Sequence, residues 1–301
     1  MHAAVLRYVK EVARLGSVRK AAQVLNVASS AINRQIIKVE QELGVKLFDR
    51  LPGGMQLTPA GEMLLRHVRD TLYDYDRLLS EIDSLRGIRT GHVRIVATDS
   101  LVVDFLPRAV TRFSESYPAV TYTVMAAAPT GVINEIGAGH ADIGLTFVCP
   151  LPPSVQLVAS VATPGGVVMS SNHPLARRNV LKFSDLEEYP VILQKNTLPV
   201  ETFMNEVYEP FRARAKQRIF SNSVEFIKRS VERDLGVAFY TRLAFFDEIR
   251  SGKVVWVPLA DETLEQLKLG LFIPTERILG PATAAMVGVM VEIMEGLERA
   301  A

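Results

Sequence analysis

Cysteine is nearly absent from this chain of 301 residues, with Cys149 the sole one. No intramolecular disulfide can form, nothing points to an oxidising compartment, and a cysteine-based zinc site is excluded. Histidine is scarce too. His2, His67, His92, His140 and His173 form no HxxxH or HExxH pair, so no metal site reads out. There is no GxSxG elbow, no GxGxxG after a strand and no GxxxxGK(S/T) loop. Ser171–Asn172–His173–Pro174 gathers polar residues but reads as a turn. An enzyme is not expected, nor a bound cofactor. Long apolar runs are missing as well. The stretch 282–291 ends at Glu292 after about ten residues, half of what a membrane span needs. Arg7, Lys10 and Glu11 interrupt the first apolar stretch, so no signal peptide reads out and a cytoplasmic protein without a membrane partner is expected.

An excess of one charge sign is also lacking: 34 Lys and Arg face 33 Asp and Glu, a net of +1. Taken whole, this argues against a nucleic-acid partner. The distribution argues otherwise, because asymmetry between parts is the informative quantity. Residues 1–58 hold nine basic and four acidic side chains, net +5; residues 59–90 are at −1 and residues 91–301 at −3. With 48% apolar and 22% charged residues the chain is ordinary for a globular protein, and its length suggests two domains.

The first segment reads as short helices. Val5, Leu6, Val9, Val12 and Ala13 fall at helical spacing until Gly16. Ser17 is a natural N-cap for a second helix with Ala21, Ala22 and Leu25 on its apolar face. Asn26–Val27–Ala28 is a tight turn. A third helix follows from about Ser29, with Ala31, Ile32, Ile36, Val39 and Leu43 on one side and Gly44 as its stop. Residues 45–58 read as a small two-stranded wing turning at 51–55. Thr58 then caps a helix with Pro59 at its first position. That helix, about 27 residues long and roughly 40 Å, repeats Leu64, Leu65, Val68, Leu72, Tyr75, Leu78, Leu79, Ile82 and Leu85 at three- and four-residue steps. It packs against a partner helix or against its own C-terminal domain. From His92 strands and helices alternate, an α/β pattern with parallel sheets. Strands are expected at 93–97, 120–126, 142–147, 191–193 and 237–240, and helices from about Leu101 and at 132–137. The helical stretch 282–297 is core or an oligomer interface.

The second of two helices joined by a tight turn can enter a major groove with its N-terminal residues at the base edges. Here these are Ser29, Ser30, Asn33 and Arg34. Asn pairs bidentately with adenine, and Arg with guanine or phosphate. Lys38, Arg19 and Lys20 could reach the backbone and add the salt-dependent phosphate attraction. The competing reading is a helical bundle whose polar face is simply solvated.

The residues also resemble a family. Gly16–Ser17–Val18–Arg19–Lys20–Ala21–Ala22, Leu25–Asn26–Val27, Ala31–Ile32, Arg34–Gln35–Ile36, Glu40, Leu43–Gly44–Val45, Leu47–Phe48–Asp49–Arg50 and Leu57–Thr58–Pro59–Ala60–Gly61 are similar to the N-terminal signature of LysR-type transcriptional regulators. Phe105–Leu106–Pro107, Phe113, Tyr117–Pro118–Ala119–Val120 and 139–145 resemble the start of the family's effector-binding domain. The resemblance implies an α+β multidomain chain. A winged helix-turn-helix would occupy 1–58 and a dimerising linker helix with hinge 59–90. A two-lobed α/β domain of type II periplasmic-binding-protein fold would occupy 91–301, lobe one being about 91–162 with 268–301 and lobe two about 163–267. It implies double-stranded operator DNA, a small-molecule co-inducer, a dimer of dimers and RNA polymerase as partners. Three departures stand out. Ala28 replaces a common Ser, which moves the recognition-helix cap to Ser29. Asn33 replaces another. The wing tip 53–56 lacks arginines, leaving Arg50 as the wing's main cation.

Ligands in two-lobed sheets bind at the carboxyl ends of strands. The candidates are Ser100 and Leu101 after the first strand, Thr130, Thr146, Lys195 and Thr197, Asn222, and Thr241. Thr98–Asp99–Ser100 at a helix N-terminus favours an anion, although Asp99 opposes one. Each hydroxyl is otherwise a helix cap or a loop group. The alternative class is a solute-binding protein or an α/β enzyme fused to a helical module. The absent signal peptide weighs against the first, and the absent catalytic constellation against the second.

Overall fold

The computed structural model describes residues 3–85, 89–194 and 208–300. They fall into two compact units, Met1–Ile88 and Arg89–Ala301.

The first unit starts with α1 (Ala3–Leu15), α2 (Val18–Leu25) and α3 (Ser29–Leu43). Ser17 caps α2, its Oγ accepting from the Lys20 amide at 3.3 Å. Asn26 closes α2 in the left-handed region, φ 55°, which asparagine tolerates better than most residues. Gly44 closes α3 at φ 71°. The Ser29 cap is corrected: Ala28 occupies the N-cap position and Ser29 is the first helical residue, so no side-chain oxygen caps α3. The wing consists of β1 (Phe48–Leu51) and β2 (Gly54–Leu57), paired antiparallel with Arg50 opposite Met55. The sequence reading placed its strands a little differently, because the four-residue strands carry almost no alternation. The wing is pinned to the start of α2 by the Met55 amide donating to Gly16 O at 2.8 Å. A Cβ on Gly54 would stand 2.5 Å from the same oxygen.

Then follows α4 (Pro59–Leu85). Thr58 Oγ1 accepts from the Gly61 amide at 3.0 Å and donates to Lys46 O at 2.7 Å, so one hydroxyl both caps the helix and ties it to the wing entrance. Val9 and Val12 of α1, Ala21 of α2, Ile32 and Ile36 of α3, Leu47 and Phe48 share one core with Val68 and Leu72 of α4. Beyond Leu72 the apolar residues Tyr75, Leu78, Leu79 and Ile82 are exposed.

The second unit holds two five-stranded sheets. The first is built from β3 (Thr90–Ala97), β4 (Ala119–Ala126), β5 (Ile143–Phe147), β6 (Val155–Ala162) and β12 (Lys268–Pro274), in the order β4-β3-β5-β12-β6. The second is built from β7 (Gly165–Ser170), β8 (Pro190–Gln194), β9 (Lys216–Ser221), β10 (Val237–Thr241) and β11 (Val254–Pro258), in the order β11-β7-β10-β8-β9. Each sheet has two parallel and two antiparallel neighbouring pairs, so the expected parallel sheets are mixed. Parallel neighbours need a long crossover. β7 and β12 arrive straight from the other sheet without one, and both run antiparallel to their neighbours.

Helices α5 (Asp99–Val103), α6 (Phe105–Ser116), α7 (Pro129–Gly137), α8 (Tyr208–Arg214), α9 (Val224–Glu232), α10 (Phe246–Arg250), α11 (Glu262–Glu265) and α12 (Pro281–Ala300) complete the unit. Along β3, Ile95 and Ala97 face the core shared with α6 and α12, whereas Val96 faces the one shared with α7. Met286, Met290 and Met294, at i, i+4 and i+8 of α12, are buried in the first of these. That face of the terminal helix is core. Around the second sheet, Val167, Leu193, Phe211 and Val237 form one layer and Val168, Ile192, Ile227 and Phe245 the other. The lobes touch through Leu243, which joins the first lobe's core, and Val103, which packs on the second's.

Candidate DNA-reading surface and ligand cleft

Arg19 at the start of α2, Ser29, Ser30 and Asn33 of α3, and Arg50 of β1 line one surface depression with Gly54. The turn 26–28 swings α3 across α2, and the wing hydrogen bond to Gly16 brings β1 alongside. Arg50 Nη2 donates to Asn33 Oδ1 at 2.8 Å, which joins the wing to α3. Arg34 and Lys38 are exposed further along α3, and Lys20 is exposed on α2; none of the three lines the depression. Lys38 Nζ lies 3.9 Å from Glu42 Oε1, a loose i,i+4 pair.

The sequence reading quoted Glu40 only within the family signature and gave it no role; it is buried at the far end of α3. Its Oε1 accepts from the Leu47 amide at 2.9 Å and the Phe48 amide at 3.4 Å, and its Oε2 from Lys46 Nζ at 2.9 Å. Burial opposes its ionisation, but these donors outweigh it and hold the carboxyl below its ordinary pKa. Glu40 thereby anchors the strand entering the wing to the helix that would read the groove. The signal was present, since one acidic residue interrupts the apolar face of α3, but its partners lie beyond the helix.

In the second unit, Ser100 and Leu101 are buried in the first turn of α5. Thr98 follows β3 directly as the N-cap residue of α5, and Thr146 lies in β5; their backbones are neighbours because Ala97 pairs with Leu145 and the Thr98 amide donates to Leu145 O at 3.0 Å. Both are nearly inaccessible, 1% and 0%, and neither Oγ1 has a hydrogen-bond partner. The sequence named Thr98 only as part of the 98–100 helix N-terminus, not among the ligand contacts. Thr130 is exposed at the second position of α7, and Asn222 is exposed just before Ser223, the N-cap of α9. Thr241 is buried at the end of β10. Lys195 and Thr197 lie outside the described residues.

Asp99 Oδ2 accepts from the Val224 amide at 3.4 Å, so the first lobe's carboxylate meets the N-terminus of the second lobe's α9. Tyr240 donates its hydroxyl to Gln194 Oε1. Burial, then the Asp99 charge, push the Tyr240 phenol far above its ordinary pKa. The anion seat expected at 98–100 is weakened on two counts. α5 ends after five residues, and Asp99 already places a carboxylate in its first turn.

Among the described residues no helix is long and apolar enough to cross a membrane, and no cluster of three or more His, Cys, Asp or Glu could hold a metal ion. Two family models match the chain. Residues 4–62 match the bacterial regulatory helix-turn-helix protein, LysR family, and residues 86–295 match the LysR substrate binding domain. The transcriptional activator protein LysR of Escherichia coli (strain K12) is 25% identical over 240 residues, covering 80% of this chain and 77% of that one. A full-length OxyR from Pseudomonas aeruginosa superposes with a TM-score of 0.68 at 16% identity, covering 98% of this chain and 95% of that one. Full-length CbnR in complex with its target DNA gives 0.60 at 19% identity, covering 98% and 100%. At such identities the structures speak for the fold, and the family models for the lineage, which is one of regulators rather than enzymes. The chain therefore belongs to the LysR family of DNA-binding transcriptional regulators, with a helix-turn-helix head and a two-lobed substrate-binding domain.

Proposed function

We propose that Arg19, Lys20, Ser29, Ser30, Asn33, Arg34, Lys38 and Arg50 hold the operator. The observation carrying this reading is the single depression in which α2, α3 and the wing bring Arg19, Ser29, Ser30, Asn33 and Arg50 together. The open first turn of α3, capped by no side chain, leaves backbone N–H groups for phosphate. Arg19, Lys20, Arg34, Lys38 and Arg50 belong to the basic excess of residues 1–58. The complex of CbnR with its target DNA agrees with this role for the fold.

The second unit senses a small-molecule effector, with no resident cofactor. Ser100, Leu101, Thr130, Thr146, Lys195, Thr197, Asn222 and Thr241 remain the proposed contacts, and Thr98 joins them. The support is chemical: two adjacent buried hydroxyls without partners, Thr98 and Thr146, retain hydrogen-bonding capacity at the strand ends. The effector acts by binding one arrangement of the lobes better than another, which alters how the heads engage DNA. The exposed Tyr75, Leu78, Leu79 and Ile82 of α4 suit self-association, first as a dimer and then as a dimer of dimers. A cytoplasmic setting and contact with RNA polymerase complete the reading.

The test pairs two measurements on the full chain. Retention of duplex DNA from its own upstream region should fall steeply with salt, and Arg34→Ala should weaken it by about 1–3 kcal/mol. In a thermal-shift screen against a panel of carboxylate and amine metabolites, the Thr98→Val, Thr146→Val double variant should lose the shift that wild type shows while keeping DNA affinity. Salt-insensitive or absent retention removes the operator surface. An unchanged shift in the double variant removes the two hydroxyls from the effector site.

A further inference from the structure

Asn33 and Arg50 lie 17 positions apart on different elements, and the wing fold joins them: Arg50 Nη2 donates to Asn33 Oδ1 at 2.8 Å. A guanidinium has no acceptor, so this contact fixes the orientation of the Asn33 carboxamide. Oδ1 faces the wing cation, and the Nδ2 amino group is the end left to donate. Bidentate recognition of adenine requires both ends, with Oδ1 accepting from the N6 amino group while Nδ2 donates to N7. The Arg50 charge beside Oδ1 also repels an approaching amino group. Guanine offers the opposite edge, two adjacent acceptors at N7 and O6, which suits an amide donor flanked by a cation.

We propose that Arg50 is a specificity-determining positioning residue: by holding the Asn33 carboxamide oxygen, it turns Asn33 from a reader of adenine into a donor that reads guanine. The proposal rests on the reading of α3 and the wing as the DNA-facing surface. It gives Arg50 a role beyond phosphate attraction and replaces the adenine pairing that the residue type alone suggests for Asn33. The remaining guanidinium N–H groups keep their capacity for phosphate.

The experiment uses full-length protein and a pool of DNA duplexes with randomised centres. Selection with wild type gives the preferred duplex, and selection with Asn33→Ala identifies the base pair whose preference disappears. Four duplexes differing at that pair are then titrated with wild type, Asn33→Ala and Arg50→Ala. Arg50 is exposed and Asn33 half-buried, and unchanged melting temperatures establish that the variants fold. Wild type should favour guanine over adenine at that pair by roughly tenfold, and Arg50→Ala should shift the preference towards adenine there and nowhere else. The proposal is overturned if wild type favours adenine, if no pair responds to Asn33→Ala, or if Arg50→Ala weakens all four duplexes equally. The last result would make Arg50 a phosphate contact alone. If wild type enriches no sequence and shows no salt-sensitive retention, the DNA-facing surface itself fails and the proposal falls with it.

Discussion

Lys228 of α9 places its Nζ 2.6 Å from Oδ2 of Asp104, at the junction of α5 and α6, although the two residues are 124 positions apart. The same ammonium lies 2.9 Å from Glu248 Oε2 and 5.3 Å from the centre of the Phe245 ring. Lys228 is 1% exposed. One buried cation thus joins the first lobe to two elements of the second. An ion pair withdrawn from water gains little over an apolar isostere, but losing one partner strands the other charges. Whatever movement the lobes make, this contact resists their separation on that side.

Lys228→Met should therefore cost about 3–5 kcal/mol in urea unfolding of the full chain, and adding Asp104→Leu and Glu248→Leu should recover most of it. The pH dependence gives an independent sign. Burial raises the Asp104 carboxyl above its ordinary pKa, against the opposing Lys228 hydrogen bond. A raised folded value means stability that is complete below the ordinary carboxylate pKa and is lost as pH rises through the folded one. Lys228→Met removes the opposing contact, so its unfolding midpoint should fall more steeply than that of wild type as pH rises above the ordinary carboxylate pKa. Equal slopes would show that Lys228 does not govern Asp104.

Glu40 carries the opposite sign. Its folded pKa is lowered by the Leu47, Lys46 and Phe48 donors despite burial. Its contribution is present above the ordinary carboxylate pKa and fades as pH drops through the lowered value. Glu40→Gln should flatten this acid limb and destabilise the head by about 1–3 kcal/mol. Amide exchange at Leu47 and Phe48 in the full chain reads it directly. Both should exchange faster in the variant, and unchanged protection would mean that the carboxylate is not their effective partner.

Gly61 sits in the first turn of α4, where an added Cβ would stand 2.1 Å from Leu47 O and 2.8 Å from Leu57 Cδ2. The nearest atom is backbone, so the strand entering the wing must move. Gly61→Ala should cost about 1–3 kcal/mol by thermal unfolding, even though alanine is the better helix former. A stabilised variant would show that α4 and the wing entrance are not held this closely.

The sequence by itself determined what depends on near neighbours. Ser17, Gly44 and the Thr58–Pro59 pair mark helix ends because capping is settled within a turn of chain. The clustering of nine cations in residues 1–58 is likewise visible without any fold. The family signature drew on the same short-range pattern. Tertiary structure decided what depends on where the chain returns. The antiparallel entry of β7 and β12 into otherwise parallel sheets was not legible, because hydrophobic runs do not say which way a neighbour enters the sheet. Thr98 and Thr146 become adjacent through the register of β3 with β5. Asn33 acquires its orientation from a wing arginine, and Lys228 its two carboxylate partners from separate segments of the chain. In each case the deciding contact joins groups distant in sequence, and only chain closure brings them within hydrogen-bonding reach.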